Sequence, residues 1–162
     1  MTAIQTYFFD PAEGVPNHPR LPAVVVPNAC PADETAVVSR LRAVDWGGIW
    51  VWSVFDWHHY HPDGHEALVV IAGKADLILG GPGGEKVKVS AGDALILPAG
   101  TGHCLVRAEA NFAVCGAYPG GAGVETRAAR EGIPEGAAER IAAVPLPRSD
   151  PFDGALTTAW EL

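Results

Sequence analysis

Between Trp46 and Tyr118 the apolar residues come in short runs: IWVWSVF, ALVVIAG, ADLILGG, KVKVS, ALILP, HCLVRA and NFAVCGAY. The segments between them include HPDG, AGK, GGPGGE, SAGD and PAGTG, all rich in residues that favour turns. Seven strand-like runs at this spacing, with no helical repeat between them, leave no room for crossover connections. Such strands must pair antiparallel, so an all-β sandwich or barrel is expected. Composition agrees, because 19 glycines and 14 prolines supply turns while 48% hydrophobic residues supply a core. GGPGGE lacks the Lys-Ser/Thr pair and the helix of a phosphate loop and reads as a hairpin turn.

The flanks differ from this centre. Residues 1–29 are extended and broken by prolines, and TYFFD and AVVVPN look like apolar strands at an exposed edge. Such edges are commonly buried against a partner, which predicts a homodimer. Over 31–44, PADETAVVSRLRAV carries an early proline, acidic residues in the first turn and apolar residues at helical spacing, so one amphipathic helix is expected. Beyond Tyr118, EGAAERIAA is a short helical segment, and the tail VPLPRSDPFDGALTTAWEL reads as irregular. That tail is too apolar for a free linker and should pack on the barrel. The expected organisation is a single domain over 1–162, with a core barrel at about 46–118, an N-terminal arm and helix at 1–45, and a packed tail at 119–162.

A formal net charge of −8 and a sequence pI near 5.1 disfavour nucleic acid and anionic membrane surfaces, both of which call for clustered Lys and Arg. The N-terminal residues have neither a basic start nor a long apolar run, and no segment approaches the ~18 apolar residues of a membrane span. A cytoplasmic protein is expected. Cys30, Cys104 and Cys115 are widely spaced and form no CxxC pair, which points to buried thiols over disulfides.

The stretch WHHYHPDGHEALVVIAG holds four of the six histidines within ten residues of its start. His59 and His61 are two apart, so on a strand their imidazoles leave the same face and can converge on one ion at ~2.0–2.2 Å per nitrogen. After the Pro62-Asp63-Gly64 turn, Glu66 opens a strand expected to return alongside the histidine pair. His58 and Tyr60 alternate away from that face, and His65 should also point elsewhere. A second segment, GDALILPAGTGHCLV, delivers His103 just after a tight reversal.

These segments resemble the two paired motifs of the cupin superfamily. The first follows HxH-x(3,4)-E-x(6)-G through His59, His61, Glu66 and Gly73, and the second follows G-x(5)-P-x-G-x(2)-H through Gly92, Pro98, Gly100 and His103. Arg107 departs from the pattern, standing where the second motif usually ends in Asn. FFD, VPNHPRLP, GAYPGG and VPLPRSDPFDG extend the likeness along nearly the whole chain, to bacterial single-domain cupins of the YjlB-like type. The resemblance implies a double-stranded β-helix (a jelly-roll barrel), with one N-terminal helix and short C-terminal helical segments around it. It also implies one divalent metal ion (Mn, Fe, Co, Ni, Cu or Zn) held by His59, His61, Glu66 and His103.

By strand parity Phe55 and Trp57 face inward with the histidines, either as an apolar wall for a small-molecule ligand or as ordinary core. Tyr118 brings a hydroxyl near the barrel opening or packs as aromatic core. Two functions follow from the resemblance. One is a metal-dependent enzyme, dioxygenase- or isomerase-like; the other is a non-catalytic barrel that binds a small molecule.

Overall fold

A computed structural model describes residues 3–162. In chain order its strands are β1 (Gln5–Tyr7), β2 (Ala23–Val26), β3 (Trp46–Trp52), β4 (His59–Tyr60), β5 (Glu66–Ala72), β6 (Lys74–Leu79), β7 (Glu85–Ser90), β8 (Ala94–Leu97), β9 (His103–Ala108), β10 (Ala113–Pro119) and β11 (Arg127–Ala128). Helix α1 (Glu34–Ala43) precedes β3, while α2 (Ala137–Ala142) and α3 (Ala155–Trp160) follow the last strand. The strands form two antiparallel sheets, ordered β1-β2-β8-β5-β10-β3 and β11-β4-β9-β6-β7, consistent with a jelly-roll sandwich. Among the described residues no helix is long and apolar enough to cross a membrane.

The core lies between the sheets, where Leu68, Val70, Leu95 and Leu97 of the larger sheet meet Leu77, Leu79, Val87 and Val89 of the smaller one. The larger sheet is buried on its outer face too. There Ala67, Val69, Ile96 and Cys115 pack against Val37 and Leu41 of α1 and against Phe152, Leu156 and Trp160 of the tail. Burial on both faces explains why ALVVIA and ALIL read as unbroken apolar runs. EKVKVS alternates because Val87 and Val89 point into the core while Lys86 and Lys88 face solvent.

Helix α1 forms where the periodicity predicts it. Asp33 caps it by accepting a 2.9 Å hydrogen bond from the Ala36 amide, and Glu34 complements the dipole in the first turn. Helix α3 is different, since ALTTAW lies in the tail that the sequence suggests is irregular. Six residues with two β-branched threonines have little intrinsic tendency to form a helix. Burial of Leu156 and Trp160 holds this turn in place, and Asp150 accepts hydrogen bonds from the Phe152 and Thr157 amides at 2.8 and 2.7 Å.

Two expectations about pairing are corrected. Glu66 and β5 do not return alongside the histidine strand, because β5 pairs with β8 and β10 in one sheet while β4 pairs with β9 and β11 in the other. The turn after His61 carries the chain across the sandwich instead of closing a hairpin. AVVV is not an exposed edge either: β2 lies between β1 and β8, and its side chains alternate between the two core faces.

Two buried histidines brace the tail and the N-terminal arm. His18 Nδ1 accepts from the Arg20 and Leu21 amides at 3.1 and 2.9 Å. His65 Nδ1 accepts from the Ala99 amide at 2.9 Å, and its Nε2–H donates to the Pro145 carbonyl at 3.1 Å. Burial, reinforced by Arg20, pushes His18 down to about 4, and burial next to His18 brings His65 to about 4 as well. Both fall below the ordinary value of 6.5, so between those limits the unfolded chain binds more protons than the folded one. Their contribution to stability should be complete above pH 6.5 and lost as pH falls toward 4. Nuclear magnetic resonance titration of the two rings should show both midpoints well below 6.5, with the melting temperature falling over the same window. Two midpoints at the ordinary value would contradict this assignment.

Candidate metal centre

The site lies between the sheets and draws on both. His59 on β4 is the direct cross-strand partner of His103 on β9, and the ring centroids stand 4.0 Å apart. His61 follows β4, and its carbonyl accepts the Gly100 amide at 2.8 Å, tying the two motif segments together. Gly100 adopts φ +84°, and a Cβ there would run into Ile141, so the reversal that presents His103 requires glycine. Glu66 enters from the opposite sheet.

Each imidazole is oriented from behind by a main-chain carbonyl. His59 Nδ1 lies 2.9 Å from the Trp57 oxygen, His61 Nδ1 2.9 Å from that of Glu125, and His103 Nδ1 3.1 Å from that of Thr101. A carbonyl only accepts, so each Nδ1 carries the hydrogen, and each Nε2 of the neutral ring presents a lone pair to the site. A set of nitrogens, one from each ring, lies within 4.8 Å of one another. Glu66 Oε2 is 3.4 Å from His61 Nε2, and Oε1 is 3.3 Å from His103 Nε2. Tyr118 Oη donates to Glu66 Oε2 at 2.9 Å, whereas the buried Oε1 has no hydrogen-bond partner.

Three ring nitrogens therefore face one small buried volume, with the Glu66 carboxylate beside those of His61 and His103. Acceptors buried together in this way cost several kcal/mol unless a cation or a proton bridges them. Burial pushes the Glu66 carboxyl up, but the His103 and His61 imidazoles outweigh it and hold the group well below the usual carboxylate range. Burial and the neighbouring His103 drive His59 down to about 2, so this ring stays neutral and available as a ligand. Burial lowers His61 too, but Glu66 outweighs it and the net shift is upward. Imidazoles with one carboxylate suit a borderline divalent ion, and the residues present fit one.

A cavity of ≈ 180 Å³ opens beside these groups. Trp50, Trp52, Phe55 and Leu68 form its apolar walls, and Tyr118 and Thr126 add hydroxyls. Trp52 and Phe55 stand at the mouth, 55% and 38% exposed, with their rings edge-on at 5.2 Å.

The structure places the remaining sequence-level candidates as follows. Phe55 and Tyr118 line the cavity, but Trp57 does not. Trp57 stacks on Phe55 at 4.5 Å, stands 5.1 Å from the His59 ring, and lines a separate surface cleft with His58, under the Arg130 guanidinium. Parity fails here because the chain between β3 and β4 is irregular and cannot carry strand alternation from His59 back to Trp57. His65 is engaged by Ala99 and Pro145 and takes no part in the site. Arg107 pairs with Asp76 at 3.3 Å, outside the cavity lining. Sequence reasoning missed Trp50, Trp52, Thr126 and the Glu125 carbonyl. Alternation inside IWVWSVF could have revealed the tryptophans, whereas nothing in VETRAAREG marks Glu125 or Thr126.

A jelly roll with three converging imidazoles and a carboxylate between its sheets defines a cupin, and the chain belongs to the cupin family. The family model described as a cupin domain matches residues 53–114. Within the family the chain is YjlB-like: it is 37% identical over 151 residues to "Uncharacterized protein YjlB" of Bacillus subtilis (strain 168), covering 93% of this chain and 90% of that protein. Among solved structures, acireductone dioxygenase from Bacillus anthracis, with cadmium in its active centre, aligns at 16% identity and TM-score 0.38. That alignment covers 52% of this chain and 57% of the dioxygenase. A variant of oxalate decarboxylase from Bacillus subtilis aligns at 18% identity and TM-score 0.38, over 66% of this chain and 22% of that one. The chain thus spans little more than half of the first solved structure and under a quarter of the second.

Proposed function

We propose that the protein is a metal-dependent cupin enzyme acting on a small molecule, with one divalent ion held by His59, His61, Glu66 and His103. The observation that carries this reading is the set of lone pairs oriented from outside onto one point, at the floor of a cavity that opens to solvent. The ion, one of Mn, Fe, Co, Ni, Cu or Zn, would supply Lewis-acid or redox chemistry of the dioxygenase or isomerase kind. The chain's own groups do the rest. The Trp57, Glu125 and Thr101 carbonyls keep the three Nε2 atoms unprotonated, Trp52 and Phe55 receive the apolar body of a ligand, and Trp50 with Leu68 keeps the inner wall dry.

A second reading is a non-catalytic barrel that binds a small molecule. It is favoured by the scarcity of proton carriers among the lining residues: beyond the four proposed ligands these are Tyr118, Trp50, Ser53, Trp52 and Thr126, and the Tyr118 hydroxyl is already donated to Glu66.

Protein purified without chelators or a histidine tag should contain about one divalent ion per chain by elemental analysis. Chelation should lower the melting temperature by linkage while the β circular dichroism persists, since the apolar core forms without the ion. Metal-free protein, or an apo form with a random-coil spectrum, contradicts these expectations. A screen of hydroxy acids, oxo acids and diketones on the reconstituted protein then separates turnover from binding.

A further inference from the structure

Tyr118 does more than wall the cavity. The Trp50 indole N–H donates to Tyr118 Oη at 2.9 Å, and Tyr118 Oη donates to Glu66 Oε2 at 2.9 Å. Indole nitrogen is a donor only, so it occupies a lone pair of the phenol oxygen and leaves the single phenolic hydrogen to the carboxylate. The chain of hydrogen bonds thus has one polarity, Trp50 to Tyr118 to Glu66. Oε2 is taken up by this relay, and Oε1 is the oxygen left bare.

The strands are arranged to make the relay. On β10 and β5, Ala117 pairs with Ala67, which places Tyr118 beside Glu66 on neighbouring strands. On the other side β10 pairs with β3, with Gly116 opposite Trp50, and the register shifts between Gly116 and Tyr118. Such an irregularity re-aims a side chain. Gly116 is the seat of the indole, because a Cβ there would fall inside the Trp50 ring.

We propose that Tyr118, locked by Trp50 on the Gly116 seat, is a positioning residue that holds Oε2 of Glu66 and thereby points Oε1 at the cation shared with the histidines. The inference rests on the metal-centre reading above and adds to it an outer control of the carboxylate. Without the phenolic hydrogen, both carboxylate oxygens would be free to rotate, and the ion would see a different donor geometry.

Cobalt(II) titration of the apoprotein tests this, followed by calorimetry and by the visible absorption of the bound ion. Tyr118→Phe adds no volume and should melt within a few degrees of the native apoprotein. Its cobalt affinity should fall roughly 10- to 100-fold, the range seen when an outer partner of a metal ligand is removed, and its absorption bands should shift. Trp50→Phe and Gly116→Ala should change affinity and spectrum in the same direction by less, because they loosen Tyr118 without removing it. A Tyr118→Phe protein with native cobalt affinity and an unaltered spectrum overturns the proposal and makes Tyr118 a cavity wall only. Native protein that takes up no cobalt overturns the metal-centre reading itself, and this inference with it.

Discussion

His103→Ala is expected to abolish stoichiometric metal binding, with affinity lowered more than about 100-fold, beyond the 10- to 100-fold cost of losing only an outer partner. His103 stands opposite His59, beside Glu66 Oε1, and is 2% exposed, and the space its ring would leave borders the cavity, where only water could stand in for the lost nitrogen. Its removal leaves the carboxylate without its nearest imidazole and the ion with three protein ligands. The fold should survive, because β9 is held by main-chain pairing to β4 and β6 that needs no imidazole. Elemental analysis and calorimetric titration check the first part, and circular dichroism the second. One ion per chain in the variant would show that the ligands lie elsewhere. Glu66→Gln provides a graded companion, retaining the shape but removing the only anionic ligand, and should weaken the ion without emptying the site.

Trp160→Ala is expected to cost about 3–5 kcal/mol of folding stability and to lower the melting temperature by on the order of 10 °C. The side chain is 3% exposed at the end of α3, donates its indole N–H to the Pro22 carbonyl at 2.9 Å, and lies edge-on to His65 at 5.0 Å. Truncation therefore opens a cavity under the larger sheet and leaves the Pro22 carbonyl without its donor. Because α3 has little helical propensity of its own, the whole tail turn should loosen with it. Thermal and denaturant unfolding measure the loss. A change below about 1 kcal/mol would mean that the tail contributes little to the fold. Metal uptake should persist, since the site lies between the sheets and Trp160 lies on the outer face.

The spacing of apolar runs and turns by itself determined that this chain folds as antiparallel β. That information is local: each run is as long as one strand, and each break carries residues that bend the backbone. The three histidines that cluster at the centre, and the Glu66 carboxylate beside two of them, were also legible, because histidines two apart, a carboxylate after a tight turn and a histidine after a glycine reversal form a pattern of short-range constraints. Helix α1 was equally readable from its early proline, its acidic first turn and its periodicity. Tertiary structure alone decided that the histidine strand and the Glu66 strand belong to opposite sheets, so that these side chains approach one another across the sandwich. It chose Trp50 and Trp52 over Trp57 for the cavity, brought the Glu125 carbonyl behind His61, and made a helix of ALTTAW. The physical reason is common to these cases. Strand parity predicts side-chain direction only while the strand is unbroken, and the chain between β3 and β4 is irregular. Which carbonyl meets which imidazole, and which weak helix is held in place, depends on packing between segments far apart in sequence, where local propensity has nothing to say.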